Sequence, residues 1–575
     1  MADAIGNRPD TETRPVRRPQ SVDEVLARLR DELARGELIG AYDTAERARR
    51  DGLDHPLIRY RRVLALARAG ATESAAKEYA EYGLGEQDDI DSRALRARIL
   101  KDRALAAPAS EQVGLFEAAA DAYRAIHTET GHSFPGINAA TLYLLAGHRD
   151  RARAVAAELL DDPELRDGYG YWDAATRAEA QLILGDAKSA IGELTKARSL
   201  ARDDWGDLSS TRRQLRRLLD AAPIDGLPVE HLLDILRPPR VAHLTAADGD
   251  DAATLRETLA PLFREHEIGF ACTMLWTDES VALAEAALAA GIELNLVLPF
   301  DAPTYLARAE AELPPDAAAR RRACIEGARS VVAVTADGDH ADAALLEYAG
   351  VVATGLARTR ARVLSTDCIT LPAPPPVGRA PVLHEEVIAE TNSREPVREL
   401  RALLFADAKG FSKLPESDLP LFWSRFMTEM AAKLDEAEEN ILYRNSWGDA
   451  VFCVSARIET AAEVALSMQE RAAELREEHP QSPVLRIGLH HGPVFRGWDP
   501  VRRTPSYFGT QVSRAARVEP IVPPGDVYVT EPFAAVLAAT ETGAFEAEYV
   551  GVLPLHKDYG EHRMYRLARR WTGTR

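Results

Sequence analysis

Residues 399–414 read ELRALLFADAKGFSKL, an apolar β-prone run that ends in Asp407 just before a Lys409-Gly410 turn. A strand of this kind presents a carboxylate at its end. Residues 440–456 read NILYRNSWGDAVFCVSA, in which two β-prone runs flank Gly448-Asp449. That dipeptide is a strong short-range hairpin signal and puts Asp449 at or beside the tip. Two carboxylates on adjacent segments suit a pair of Mg²⁺ or Mn²⁺ ions, because hard cations take oxygen ligands and bridge a triphosphate. Each Asp alone also has a simpler reading, Asp407 as the cap of a following helix and Asp449 as a turn residue.

Outward from this stretch, the chain of 575 residues is too long for one core, and three structured segments are expected. Aromatics at 6% amid abundant Ala, Leu, Arg and Glu favour helix over strand. A net charge of -20 argues against nucleic-acid partners and anionic lipid surfaces. Cys272, Cys324, Cys368 and Cys453 lie far apart without CxxC spacing, so they are read as buried free thiols. The N-terminus lacks an apolar signal region and no long apolar run follows, so no membrane insertion and a cytoplasmic location are expected.

Residues 1–20 are Pro-, Arg- and Asp-rich and are read as disordered. Over 21–236 the pattern is helical, with Gly followed by Ala five positions later at Gly36/Ala41, Gly70/Ala75, Gly147/Ala152 and Gly185/Ala190. Gly permits a tight inter-helix turn and Ala a close helix approach. The 34-residue step from Gly36 to Gly70, with GAYDTAERA and GATESAAKEYA, resembles the tetratricopeptide repeat; an irregular helical bundle is the alternative. Such repeats present concave surfaces, which implies a protein or peptide partner.

Between 238 and 370 strands alternate with helices: RVAHLTAA, IGFACTML, GIELNLVLPF and ARSVVAVTA. That rhythm implies a Rossmann-like α/β domain with a parallel sheet. The run SVALAEAALAAGIELNLVLPFDAPTYL resembles SLOG domains, in which a loop after an early strand holds a nucleotide phosphate. The corresponding loops read HLTAADGDD and ACTMLWTDES, poor in the glycines that close approach to phosphate needs, so a spacer or sensor role is expected. Residues 371–396, with LPAPPP, read as an extended linker, and a last domain spans 397–570.

In that last domain FADAKGFS, NSWGDAVF, RIGLHHGPV and FGTQVSRAARVEP follow in order and resemble the successive motifs of class III adenylate and guanylate cyclases, through VGVLPLHKDYGEHRMYRL. The resemblance implies an α+β ferredoxin-like catalytic domain. It makes Asp407 and Asp449 the metal ligands, shared by two ions roughly 3.5–4 Å apart. It makes Arg517 the group that stabilises charge on the α-phosphate as the ribose 3'-hydroxyl attacks. Gly410, Phe411 and Gly448 fall where substrate is lined.

Three positions depart from the pattern: Asn445 replaces a base-reading Lys, Ser506 its partner Asp, and Ser513 a transition-state Asn. Asn445 and Ser506 no longer dictate the base. Losing one preorganised donor costs about 10²–10³ in rate, with Ser513 or Arg514 as substitutes. In the family the site is built between two catalytic domains, so a homodimer is implied. His490 and His491 are read as packed or exposed residues with no catalytic role. The expected activity is conversion of a nucleoside triphosphate, ATP by default, into a 3',5'-cyclic monophosphate. The alternatives are a cyclase for GTP or a pyrimidine nucleotide, and an inactive nucleotide-binding scaffold.

Overall fold

The computed structural model describes residues 21–223, 229–246, 251–335, 341–372, 396–411, 414–540, 543–557 and 559–570. The readings of residues 1–20, most of the 371–396 linker and part of HLTAADGDD fall outside them.

Among the described residues, thirteen α-helices run from Val22 to Ile235. Gly36, Gly70, Gly147 and Gly185 have φ between +72° and +90°. In that left-handed region a Cβ is costly, which is why glycine stands at these helix ends. The next helix begins two residues later each time, at Leu38, Thr72, Arg149 and Ala187. Its fourth residue is Ala41, Ala75, Ala152 or Ala190, each with 0% exposure. The small side chain lets the helices approach.

The middle region holds β1 (Arg240–Leu244), β2 (Ile268–Met274), β3 (Glu293–Phe300), β4 (Ser330–Thr335) and β5 (Cys368–Leu371). All pair in parallel, in the order β4-β3-β2-β1-β5. Four strands match the expectation. β5 was not expected; its four residues follow the long helix Ala343–Val363 and carry too little periodicity to stand out. The cysteines are free, but Cys368 at this edge is only partly buried, unlike the other three.

The C-terminal sheet contains β6 (Val397–Lys409), β7 (Ile441–Trp447), β8 (Ala450–Ser455), β9 (Val484–Asp499), β10 (Thr504–Phe508), β11 (Val527–Thr530), β12 (Phe545–Pro554) and β13 (Glu561–Arg569). Its order is β12-β13-β11-β9-β6-β8-β7, with β10 paired to β9. Both faces are covered. Leu400, Ala402, Leu404 and Ala406 of β6 join the core that includes helix Ile458–Glu478, while Leu403 packs with Phe452, Val494 and Ala515 on the opposite face. Alternation along β6 therefore serves two cores at once.

One helix joins the two sheets. Ala343–Val363 packs on β1, β2 and β3 and also on helix Glu531–Ala539. Fully buried Tyr348 donates to the His491 carbonyl, the rings lying 5.6 Å apart. The N-terminal helices reach the C-terminal sheet as well: Arg563 lies 3.1 Å from Asp43, and the Tyr42 and Tyr549 rings meet edge-on at 5.5 Å. No helix among the described residues is long and apolar enough to cross a membrane.

Candidate active site

Asp407 lies near the end of β6, opposite Ala450 of β8 and Arg486 of β9. Trp447 pairs with Ala450, so Gly448-Asp449 is a two-residue hairpin turn. Gly448 has φ +64°, as the first central position of such a turn requires. The register sets Asp449 beside Asp407. The Asp449 carboxyl is held above its ordinary value, first by burial and then by the Asp407 charge.

Two further residues complete this cluster. Arg486 donates to Asp407, and its Nη2 lies 2.8 Å from Glu519 Oε1. Burial pushes the Glu519 carboxyl up to about 7, with Arg486 opposing and Asp407 and Asp449 reinforcing the rise. Asp407 and Glu519 thus share one guanidinium, with Asp449 beside them. Residual negative charge of this kind fits a divalent cation. Among the described residues no three His, Cys, Asp or Glu side chains form a ready metal cage. Asp407 and Asp449 would therefore hold ions together with oxygens from outside the chain.

The helix Thr510–Val518 carries Ser513 and Arg517 and lies on β9 and β6. Gly488 allows that approach: a Cβ there would stand 2.7 Å from Glu519 N. Ser513 is exposed, and Arg517 is half-buried with its Nε buried and without a hydrogen bond. His490 links this helix to β11, its Nε2 2.7 Å from Gln511 Oε1 and its Nδ1 2.8 Å from Thr530 Oγ1. Burial drives His490 well below the usual imidazole range and His491 down to about 3. Both are neutral packing residues.

Asn445 pairs with Phe452, near the hairpin tip, on the strand that carries Tyr443. The Tyr443 ring lies 6.0 Å from that of Tyr507, the neighbour of Ser506. Ser506 itself pairs with Gly497, eleven residues along β9 from Arg486. At about 3.3 Å per residue that is about 36 Å along β9 from the residue that faces Asp407. One chain thus brings Asp407 and Asp449 together but does not bring Ser506 to them. Gly410, with φ +99°, and Phe411, packed 4.8 Å from Phe422, follow Asp407 directly. Reading the sequence missed Arg486 and Glu519 as site residues. Both stand inside quoted motifs, but only the β6–β9 register puts them against Asp407.

In the middle region the loop after β2 is closed by its own side chains: Thr277 Oγ1 accepts from Ser280 N at 3.2 Å, and Ser280 Oγ accepts from Trp276 N at 2.9 Å.

Comparison with known proteins fits this geometry. Residues 396–568 match the adenylate and guanylate cyclase catalytic domain, and residues 36–143 match the Tetratricopeptide Repeats-Sensor family. The C-terminal region is a class III adenylyl/guanylyl cyclase catalytic domain, preceded by tetratricopeptide-like helices and a parallel-sheet α/β region. No curated protein matches the chain.

Among solved structures, the guanylate cyclase domain of RhGC from Catenaria anguillulae, in complex with GTP, is similar at 21% identity and TM-score 0.26, over 30% of this chain and 100% of that one. The adenylyl cyclase CyaB from P. aeruginosa is similar at 16% identity and TM-score 0.28, over 31% and 99%. An adenylate cyclase from Trypanosoma brucei in its monomeric state is similar at 18% identity and TM-score 0.25, over 30% and 92%.

Proposed function

We propose that the protein is a nucleotide cyclase that converts a nucleoside triphosphate, ATP by default, into a 3',5'-cyclic monophosphate and pyrophosphate for intracellular signalling. The observation that carries this reading is the Asp407–Asp449 pair, held together by register and left with excess negative charge. Carboxylates are costly to cluster without a cation. Mg²⁺ or Mn²⁺ bound there would supply Lewis-acid polarisation of the phosphates.

The ribose 3'-oxygen attacks the α-phosphorus, the bond from the α-phosphorus to the α,β-bridging oxygen breaks, pyrophosphate leaves, and the 3'-hydroxyl proton passes to solvent water. Arg517 stabilises charge on the α-phosphate oxygens; its unpartnered Nε is a donor in reserve. Arg486, released from Asp407, is placed to meet the triphosphate. Gly410, Phe411 and Gly448 shape the floor beneath it.

The distance from Asp407 to Ser506 supports a homodimer in which one chain holds the phosphates and its partner offers Ser506 to the base; the family resemblance assigns Asn445, Ser513 and Arg517 to the same partner. Asn445 and Ser506 are neutral, so the base is set by hydrogen bonding without charge, which also admits GTP or a pyrimidine nucleotide. Ser513, standing where the family keeps a transition-state Asn, favours slow turnover and motivates a second reading, an inactive cyclase fold that binds nucleotide and signals through protein contacts. The helical region would carry those contacts.

The test is pyrophosphate release and product mass with Mn²⁺ and equal ATP, GTP, CTP and UTP. A cyclic product that disappears in Asp407→Ala supports the enzyme and names its base. Nucleotide binding without any product supports the second reading.

A further inference from the structure

Helix Ala343–Val363 of the middle region and helix Glu531–Ala539 of the catalytic region touch at Gly355, where a Cβ would stand 1.8 Å from Ala535 O. Beyond that crossing they leave a cavity of about 430 Å³, within the range of small-molecule sites. Arg358, Ala361 and Arg362 of the first helix, Leu537 and Ala538 of the second, and Phe545 of β12 line it. Thr366 and Asp367 before β5, and Thr540 after the second helix, complete the wall.

The polar groups around this space are engaged with one exception. Arg358 donates to Ala539 O at the end of the second helix, and Asp367 lies 3.2 Å from Arg240 and 3.8 Å from Arg237. Thr366 Oγ1 donates to Pro238 O at 3.0 Å, and Thr540 Oγ1 to Leu537 O at 2.8 Å. The side chain of Arg362 makes no hydrogen bond or ion pair among the described residues. Beyond the lining, Glu546 and Arg570 act on its charge in opposite senses.

We infer that this cavity binds a small carboxylate with an apolar body, its carboxylate on Arg362 and its body on Ala361, Leu537, Ala538 and Phe545. A guanidinium offers a carboxylate two parallel donors. A phosphate carries more negative charge and would face the carbonyl end of helix Glu531–Ala539 as well as Asp367, which disfavours it. Because the two helices belong to different regions, the bound molecule ties the middle region to the catalytic one.

The experiment is calorimetric titration of octanoate into the full-length protein without nucleotide or metal, beside acetate and 1-octanol. Expected is saturable binding of octanoate, with acetate and 1-octanol each weaker by about tenfold or more. Arg362→Ala should weaken octanoate by about tenfold or more, and Ala538→Phe, which fills the cavity, should abolish binding. Arg362 is exposed and unpaired, so its substitution should leave the melting point unchanged, which separates lost binding from a lost fold. Absence of octanoate binding, affinity indifferent to either substitution, or 1-octanol bound as tightly as octanoate overturns the inference.

Discussion

Arg486 and Asp407 face each other in register across β9 and β6, and the guanidinium donates to the carboxylate. An internal cation thereby stands where an external one is expected. Removing it by Arg486→Ala leaves Asp407, Asp449 and Glu519 facing one another. Thermal stability without metal should fall by roughly 1–3 kcal/mol, and Mn²⁺ should restore more of it than it adds to the parent. Equal responses to Mn²⁺ in the two proteins would count against a metal role for the aspartates.

Glu519 gives the site a pH signature. Its carboxyl titrates at about 7 in the fold against an ordinary value of 4.5, so the native state binds more protons between those values. Stability of the metal-free protein should therefore fall as pH rises through that window. Glu519→Gln should remove that part of the slope, which a melting series in both proteins measures. His491, lowered to about 3, acts with the opposite sign: its contribution is lost as pH falls below the usual histidine range. Only the difference between parent and Glu519→Gln isolates the carboxyl.

The interface between the middle and catalytic regions turns on Gly355, where a Cβ would stand 1.8 Å from Ala535 O. Gly350, in the same helix, has nothing within 4 Å of such an atom. Gly350→Ala should be neutral or stabilise by up to about 1 kcal/mol through helix propensity. Gly355→Ala should destabilise by about 1–3 kcal/mol through overlap with backbone. Comparable melting points for the two variants would show that the helices do not meet there.

At the hairpin tip, φ +64° makes Gly448→Ala a strained substitution costing about 1 kcal/mol. Because the turn aims Asp449, turnover should fall further than stability does. Steady-state rates set beside a melting curve read that split.

Much of this was legible in the chain itself. The Gly-then-Ala spacing marks helix ends and close crossings because both properties are local, a left-handed φ and a missing side chain. Gly448-Asp449 defined its hairpin for the same reason. Arg486 and Glu519 were not legible as site residues, since they meet Asp407 through a register across strands and a helix laid on Gly488. The contact of Tyr348 with His491 was hidden likewise: a tyrosine in a long amphipathic helix reads as core, and nothing local says that the core belongs to another region. β5 was missed because four edge residues carry almost no period.

The central claim is that two chains complete one site, Asp407 from one and Arg517 from the other. The direct measurement is cyclase activity of full-length Asp407→Ala mixed with full-length Arg517→Ala, each inactive alone. Random pairing yields half heterodimers with one intact site of two, so the account predicts recovery to about a quarter of the parent activity. A mixture as inactive as its components, with exchange of subunits demonstrated, would contradict it.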